Sequence, residues 1–305
     1  MVKAVWLTML LAGLLVGCGN GDTELLGSRI LVSSEQTGNW EVFSFNPESL
    51  ITHQVTREAG YRTDLDAEVL GLDFEAAWSP DGQQIVLVTD RFGIQELLVV
   101  DPDGSVTQRF EEIIGVGEPV WSPDGTQIAF RSDQSSDPEL YVMGADGSNI
   151  RQLTESPGED WTPTWSPDGT RLAFSSRRSN GSWDIFTMRS DGSEVTQLTS
   201  DSWDNYLPDW SPDGNQIAFA SNRSGNWDIF TMDPDGSSVQ QLTDDLAADI
   251  EPVWSPDGSQ LAFATLRTSI PGWEVFLVDV DGGQESGTSQ PGYPTDWFAE
   301  NEGSR

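Results

Sequence analysis

The chain has 305 residues and a formal net charge of -35, with 15 Lys and Arg against 50 Asp and Glu. Such an excess of carboxylates repels the phosphate backbone, and it argues strongly against nucleic-acid binding. The single cysteine rules out an internal disulfide and a cysteine zinc site, and the single histidine leaves histidine-based metal sites or catalytic triads without partners.

The N-terminus has the pattern of a secretory signal. Lys3 is followed by an apolar run over residues 4–16, which is too short for a membrane-spanning helix and suits the core of a signal peptide. The run ends in Leu-Val-Gly-Cys at residues 15–18, a tetrad that resembles the lipobox of bacterial lipoproteins and implies a lipid on Cys18. The alternative is an ordinary secretory signal in which Cys18 is incidental. We expect a signal peptide at 1–17 and a lipid-anchored tether at 18–28.

One unit is repeated through the rest of the chain. The pentapeptide Trp-Ser-Pro-Asp-Gly recurs at intervals of 43 to 45 residues, beginning at Trp78, Trp121, Trp165, Trp210 and Trp254. Short runs rich in Ile, Phe, Val and Thr follow each copy, separated by polar loops and a second Asp-Gly pair, a pattern that predicts strands joined by tight turns. Four strands in about 44 residues are typical of a propeller blade.

The two ends of the repeat region complete one another. Residues 29–56 align without a gap onto residues 216–243 but lack a preceding pentapeptide, whereas residues 294–297 match the end of an inner strand and place Trp297 on the common period. We therefore predict an all-β fold over residues 29–305, a six-bladed β-propeller with four antiparallel strands per blade. The last blade would be shared by the N- and C-termini, which leaves no unpaired sheet edge at the closure.

These repeats resemble those of the TolB family, which carry the same Trp-Ser-Pro-Asp-Gly with a downstream Asp-Ile-Phe or Asp-Ile-Tyr and an Asp-Gly. The resemblance covers about residues 29–301 and implies the propeller fold, while function is a separate question. TolB proteins have an additional α/β domain before the propeller, for which we expect no room here, so the TolB role in the Tol-Pal envelope system is not transferred. Pectin-lyase-type propellers use metal-binding histidines that this sequence lacks.

Several repeated residues are predicted to stabilise the blades. The repeated Trp is expected to pack between neighbouring blades, while in Pro-Asp-Gly the Asp accepts backbone N–H groups and the Gly supplies a positive φ. An Arg stands 13 positions after the Trp in four units, and a carboxylate 18 to 20 positions after it in every complete unit. We predict that the two brace one loop through a charge-assisted bond, with ligand contact as the alternative. The pairs are Arg91 with Glu96, Arg178 with Asp184, Arg223 with Asp228, and Arg267 with Glu274.

The loops that enter the inner strands differ from unit to unit, and the common strand direction places them on one face around the central channel. Their carboxylates, amides and aromatic rings suit a basic or cationic partner, either a protein segment or Ca²⁺. The alternative is a solvated acidic surface, although exposed aromatic rings favour a binding role. The predicted binding residues are Asp73, Glu75, Glu118, Asp160, Trp161, Trp203, Asn205, Tyr206, Asp249 and Glu251.

We expect an extracytoplasmic, lipid-anchored monomer, facing the periplasm or the cell surface, that binds an envelope or cell-surface protein through this mouth, without catalysis and without a required cofactor. Two alternatives stay open. One is a carbohydrate-binding or carbohydrate-active propeller in which Trp161, Trp203 and Tyr206 stack on sugar rings, and the other is a scaffold stabilised by Ca²⁺. His53 is expected on the sheet surface of the shared blade, and residues 57–77 are expected to form a lip on the mouth.

Overall fold

The computed structural model consists of β-strands joined by turns and loops in the residues that it describes. These are 28–36, 39–56, 61–62, 68–69, 72–111, 113, 115–178, 181–267, 272–281 and 284–299. Cys18, the predicted signal peptide and all of the predicted tether except Ser28 lie outside them. Across these ranges, no helix has the length and hydropathy needed to span a bilayer.

Six antiparallel sheets of four strands each form the blades, and a separate two-stranded ladder precedes the first continuous blade. In chain order, the first strands are β1 (Ser28–Ser34), β2 (Glu41–Asn46) and β3 (Ile51–Gln54), then the ladder β4 (Tyr61–Arg62) and β5 (Glu68–Val69). Blade I contains β6 (Asp73–Trp78), β7 (Ile85–Thr89), β8 (Glu96–Val100) and β9 (Val106–Phe110). Blade II contains β10 (Val116–Trp121), β11 (Gln127–Ser132), β12 (Glu139–Gly144) and β13 (Arg151–Gln152).

The remaining blades repeat this order from the centre outward. Blade III contains β14 (Asp160–Trp165), β15 (Arg171–Ser176), β16 (Asp184–Arg189) and β17 (Thr196–Gln197). Blade IV contains β18 (Asn205–Trp210), β19 (Ile217–Ser221), β20 (Asp228–Met232) and β21 (Gln240–Gln241). Blade V contains β22 (Asp249–Trp254), β23 (Gln260–Thr265), β24 (Glu274–Asp279) and β25 (Glu285–Pro291), and the last strand is β26 (Tyr293–Ala299).

The ring is closed by strands from both ends of the chain. The sheet order of blade VI is β26-β1-β2-β3, and β26 runs antiparallel to β1 with Trp297 opposite Ile30 and Ala299 opposite Ser28. The Trp297 side chain is buried together with Ile30, Val32 and residues of blade V. Both the six-bladed architecture and the shared blade are therefore confirmed.

The hydrophobic core lies between neighbouring blades rather than within them. Trp121, for example, is buried in one cluster with Val86 and Val99 of blade I and with Phe130 of its own blade. All six repeated Trp side chains are between 5% and 8% exposed. Burying each ring contributes at least about 1.5 to 3 kcal/mol, so the predicted packing role of these residues is confirmed.

The pentapeptide turns follow the chemistry expected of them. In blade I the Gly82 amide donates to the Ser79 carbonyl at 2.8 Å with Gly82 at φ 67°, and Asp81 accepts from the Ser79 hydroxyl at 2.7 Å and from the Gln83 amide at 3.0 Å. These bonds lower the pKa of Asp81 below its usual range. Because each turn follows its inner strand, the turns lie on one face of the ring, the turn face, and the loops that precede the inner strands lie on the opposite, mouth face.

The predicted partner of the repeated Arg is wrong. Each Arg turns toward the centre and bonds to the first residue of the inner strand of its own blade. The pairs are Arg91 with Asp73, Arg178 with Asp160 and Arg267 with Asp249, while Arg223 donates to the amide oxygen of Asn205 at 2.7 Å.

The strand register explains the error. Thr89 pairs with Asp73 on one side and with Glu96 on the other, so Arg91, two residues further on, starts between two acids. Glu96 already accepts two bonds from Arg109, at 2.5 and 2.9 Å. In blades II and III the equivalent acid accepts a bond from a threonine beyond the outermost strand, at 2.5 Å for Thr154 to Glu139 and 2.9 Å for Thr199 to Asp184.

Two smaller expectations meet different outcomes. His53 lies exposed in β3, the outermost strand of blade VI, which confirms its position on the sheet surface. About half of the predicted lip over residues 57–77 falls outside the described residues, and its described part contains the β4–β5 ladder and the start of β6.

Candidate functional site

The inner strands of all six blades enclose a cavity of about 630 Å³ that opens on the mouth face, called the channel below. Its wall is mostly apolar, with prolines from several blades, and into this wall five carboxylates are set. A cavity of this volume falls within the range of small-ligand sites, in which few polar groups on an apolar wall fix orientation.

A β-bulge in each continuous blade turns one side chain toward the channel. In blade I, Phe74 pairs with Val88 and Ala77 with Val86, so Glu75 and Ala76 together oppose a single residue. The bulged residue, three positions before the repeated Trp, has a left-handed backbone, which is uncommon for residues other than glycine and is found at functional sites. These residues are Glu75 (φ 49°), Glu118 (47°), Thr162 (53°), Leu207 (57°) and Glu251 (55°).

Three of the bulged residues form a group that we call the carboxylate ring, Glu75, Glu118 and Glu251. The Glu118 amide donates to Glu75 Oε2 at 2.8 Å, and Glu118 Oε2 accepts from Arg131 Nε at 3.0 Å. Glu251 has no hydrogen-bond or ion-pair partner among the described residues. Burial and the charges of the other two acids raise the pKa of Glu251 to about 8.

The same causes act on the other two members of the carboxylate ring. Burial and the Glu75 charge raise the pKa of Glu118 to about 8, against an opposing effect of Arg131. Burial also raises the pKa of Glu75, although the Glu118 amide and Arg131 oppose it. Near neutral pH, the ring therefore holds protons that exposed glutamates would have released.

Arg131 reaches the ring because blade II carries a glycine where other blades carry larger residues. A Cβ on Gly117 would lie 2.5 Å from an Arg131 guanidinium nitrogen, whereas the equivalent residue is Trp161 in blade III and Tyr206 in blade IV. The guanidinium also lies 4.5 Å from the centre of the Trp161 ring, a cation–π distance. Gly117 and Arg131 thus act as a pair that supplies a cation to Glu118.

Two further carboxylates lie deeper, one position before the repeated Trp. Asp209 accepts from the Trp254 amide at 2.9 Å and from the Thr164 hydroxyl at 3.1 Å, and Asp296 accepts from the Trp78 amide at 2.6 Å. Burial raises the pKa of Asp209 to about 7 and that of Asp296 to about 6. Each carboxylate ties its own blade to the next one around the channel.

Aromatic side chains flank the mouth in two arcs. The first arc contains Trp161, Trp183 and Tyr206, with ring centres 5.9 Å apart for Trp161 and Trp183 and 4.8 Å apart for Trp183 and Tyr206. The second arc spans the closure of the ring and contains Trp40, Tyr293 and Trp273, with centres 5.7 and 5.3 Å apart. All of these rings are half-buried, so they offer a firm apolar rim above the carboxylate ring.

The structure divides the ten predicted binding residues into three groups. Five line the channel, namely Glu75, Glu118, Trp161, Tyr206 and Glu251. Trp203 is 47% exposed and lies outside the channel wall. The other four do not lie on the mouth surface as predicted. Each is fully buried and accepts a hydrogen bond from the repeated Arg of its own blade, and they are Asp73, Asp160, Asn205 and Asp249.

Sequence reasoning missed four tryptophans and the two deeper aspartates. Trp40, Trp183, Trp227 and Trp273 each stand directly before the acid that begins the third strand of a blade, and this recurring Trp-acid dipeptide was a readable signal. Asp209 and Asp296 share the position before the repeated Trp. As for metals, the described residues contain no group of three or more His, Cys, Asp or Glu placed to hold one.

Sequence comparison adds the family. A family model described as the TolB beta propeller domain matches residues 114–207 and 201–295, more than half of the chain. The chain belongs to the TolB β-propeller family. A search of curated protein sequences finds no match to this TolB-family propeller.

Solved structures agree with the family. The propeller is similar to a putative TolB from Agrobacterium tumefaciens, with 25% identity, a TM-score of 0.69, and coverage of 89% of this chain and 93% of that one. TolB from Acinetobacter baumannii follows with 21% identity, a TM-score of 0.70, and coverage of 90% and 67%. An oligogalacturonate lyase from Vibrio parahaemolyticus shares the fold at 12% identity and a TM-score of 0.56, covering 86% and 72%.

Proposed function

We propose that this TolB-family propeller is a lipid-anchored, extracytoplasmic binding protein that docks an envelope or cell-surface protein on its mouth face and carries out no chemistry of its own. The observation behind this proposal is the exposed apolar surface around the channel. Leu246 is 98% exposed, Trp203 47% and Leu266 45%, and all three stand in loops of the mouth face. Aromatic and aliphatic anchors of this kind favour protein interfaces.

The charge of the chain limits the partner. A protein with a formal net charge of -35 attracts basic partners and repels acidic ones, and salt weakens that attraction. The docked segment would therefore carry apolar side chains for the rim and basic groups above the channel.

A pair of exposed leucines on opposite faces tests the docking surface. Leu246→Asp places a charge in the mouth face, and we expect it to lower recovery of the partner from envelope extracts at least about tenfold, because a desolvated carboxylate among apolar contacts is costly. The measurement is quantitative mass spectrometry of proteins captured by the full propeller.

Leu50→Asp is the matched control. Leu50 is 62% exposed in the turn between β2 and β3, on the turn face, so this variant should capture the partner as the unaltered protein does. Equal capture by the Leu246→Asp and unaltered proteins, with both folded by circular dichroism, would remove the mouth face as the docking surface.

The anchor is tested separately at Cys18. An envelope location is supported by membership of the TolB family and by the lipobox-like tetrad at residues 15–18. Cys18→Ser should shift the protein from the membrane fraction to the soluble fraction, because the thiol that would carry the lipid is removed. Cell fractionation with immunoblotting measures this, and retention in the membrane fraction would count against lipidation.

A further inference from the structure

The carboxylate ring contains three acids and has one cation close to it. Glu75 and Glu118 share one nearby cation, Arg131, and that guanidinium pairs with Glu118 at 3.0 Å and also with Asp133. Glu251 has no partner among the described residues, although it lines the channel. A carboxylate enclosed in this way without a partner costs free energy unless it is protonated or meets a cation.

Two further polar atoms in the channel wall are also without partners. Thr295 Oγ1 and Trp161 Nε1 are both buried and accept or donate no hydrogen bond within the described structure, and both residues line the channel together with Glu251. Buried polar groups are nearly always paired in folded proteins. Thr295 and Trp161 lie on opposite blades of the ring, VI and III, and their unpaired atoms are closed off from the channel. Glu251 is therefore the unpartnered group that a ligand in this mostly apolar channel would meet.

From this geometry we infer that the channel binds the ammonium group of an alkylamine at the carboxylate ring, with Glu251 as its main anion. An ammonium is a compact charge with three donors, and Glu251 and Glu75 offer carboxylate oxygens to it. The apolar wall and the aromatic arcs accommodate the alkyl chain and favour a cation above their faces. A planar guanidinium fits less well, because Arg131 already supplies one to Glu118.

The protonation of the ring gives this binding a characteristic pH dependence. Glu251 faces Glu75 and Glu118, whose charges raise its pKa, and its own charge raises the pKa values of Tyr206 and Tyr293. With a pKa of about 8, the empty Glu251 is protonated at pH 6 to 7, so an arriving ammonium displaces a proton into solvent. An alkylammonium has a pKa of about 10.4 and therefore stays charged at pH 9. The affinity of the channel for it should rise from about pH 6 to about pH 9.

Isothermal titration of the full chain with n-butylamine and with putrescine, in about 0.15 M NaCl to screen the acidic surface, tests the inference. We expect one saturable site whose affinity for the amine is at least about tenfold higher at pH 9 than at pH 6. Repeating the titration in buffers of different ionisation enthalpy measures the protons released on binding. Glu251→Gln should weaken binding at least about tenfold. Glu48→Gln, the same change at an exposed turn-face residue, should leave it unaltered.

Three results would overturn the inference: no saturable amine binding at about pH 9, equal binding by the Glu251→Gln protein, or saturation by CaCl₂ but not by the amines. Folding of the Glu251→Gln protein is checked by its melting curve, since glutamine has the shape of the protonated acid. The ammonium can come from a free amine or from a lysine of the docked protein. If n-butylamine displaces the captured partner, the ammonium is a lysine of that partner. If the partner is retained, the channel binds a free amine. Both outcomes are independent of the result of the Leu246→Asp capture test.

Discussion

Replacing Trp297 with alanine is expected to lower the free energy of unfolding by about 3 to 5 kcal/mol, the usual cost of removing a large buried aromatic ring. The Trp297 side chain packs against Ile30 and Val32 of β1 and against Val275 and Leu277 of blade V. Its loss therefore weakens the contacts that join the two ends of the chain. Urea denaturation followed by tryptophan fluorescence and circular dichroism measures the change.

The matched control is Trp165→Ala, the same substitution in a blade whose four strands are continuous. It should cost a similar free energy, but the effect on local opening should differ, because β1 packs against Trp297 and not against Trp165. Hydrogen exchange should accelerate at Ile30 and Val32 in the Trp297→Ala protein and not in the Trp165→Ala protein. Unchanged exchange in β1 of the Trp297→Ala protein would contradict the role of this ring in the closure.

Asp160→Ala is expected to cost about 3 to 5 kcal/mol, because it leaves the Arg178 guanidinium buried without its anion. Asp160 is fully buried and pairs with Arg178, which is 17% exposed and lies 5.2 and 5.1 Å from the ring centres of Phe174 and Phe186. In the Asp160→Ala protein, the two rings would still stabilise the Arg178 cation in part, but they cannot replace the lost hydrogen bond. Chemical denaturation of the purified protein measures the loss.

Blade IV has an asparagine in place of this aspartate but supplies the negative charge from another residue. There Arg223 donates to Asn205 at 2.7 Å and also pairs with Asp201 at 3.1 Å, whereas blade III has Ser156 at the position of Asp201. Asp160→Asn keeps a hydrogen-bond acceptor for Arg178 but removes the charge, so it should cost about 1.5 to 3 kcal/mol, less than Asp160→Ala. If Asp160→Asn and Asp160→Ala destabilised the protein equally, the hydrogen bond to the guanidinium would not be the source of the effect.

The blade count, the closure and the packing of the repeated Trp could be predicted from the sequence because each rests on spacing. Trp297 falls on the common period and residues 29–56 align with the outer strands of a unit. The turn chemistry of Asp81 and Gly82 was likewise local, since all of its hydrogen bonds join residues close in sequence.

The site was predicted only in part because side-chain direction depends on strand register. A reading by sequence position treats Asp73 and Glu75 alike, yet the bulge sends Glu75 to the channel while Asp73 is buried against Arg91. The residue type of Glu75 does not predict its left-handed backbone. Nor does residue type predict which of the two acids on the flanking strands, Asp73 or Glu96, Arg91 will bind. Likewise, Gly117 leaves space for the side chain of Arg131, which is 14 positions away in sequence and lies opposite it on the neighbouring strand.

The register of the closure also fixes how the molecule would be oriented on any surface that holds its N-terminus. Ser28 pairs with Ala299 at the end of β26, which is the turn face, so both ends of the described chain leave the ring on the side away from the channel opening. A lipid or other attachment upstream of Ser28 would leave the aromatic arcs pointing outward into the surrounding compartment. The side held nearest the attachment would carry Asp81 and its equivalents, which stay ionised into mild acid, and their repulsion from anionic headgroups would keep the ring standing off the bilayer.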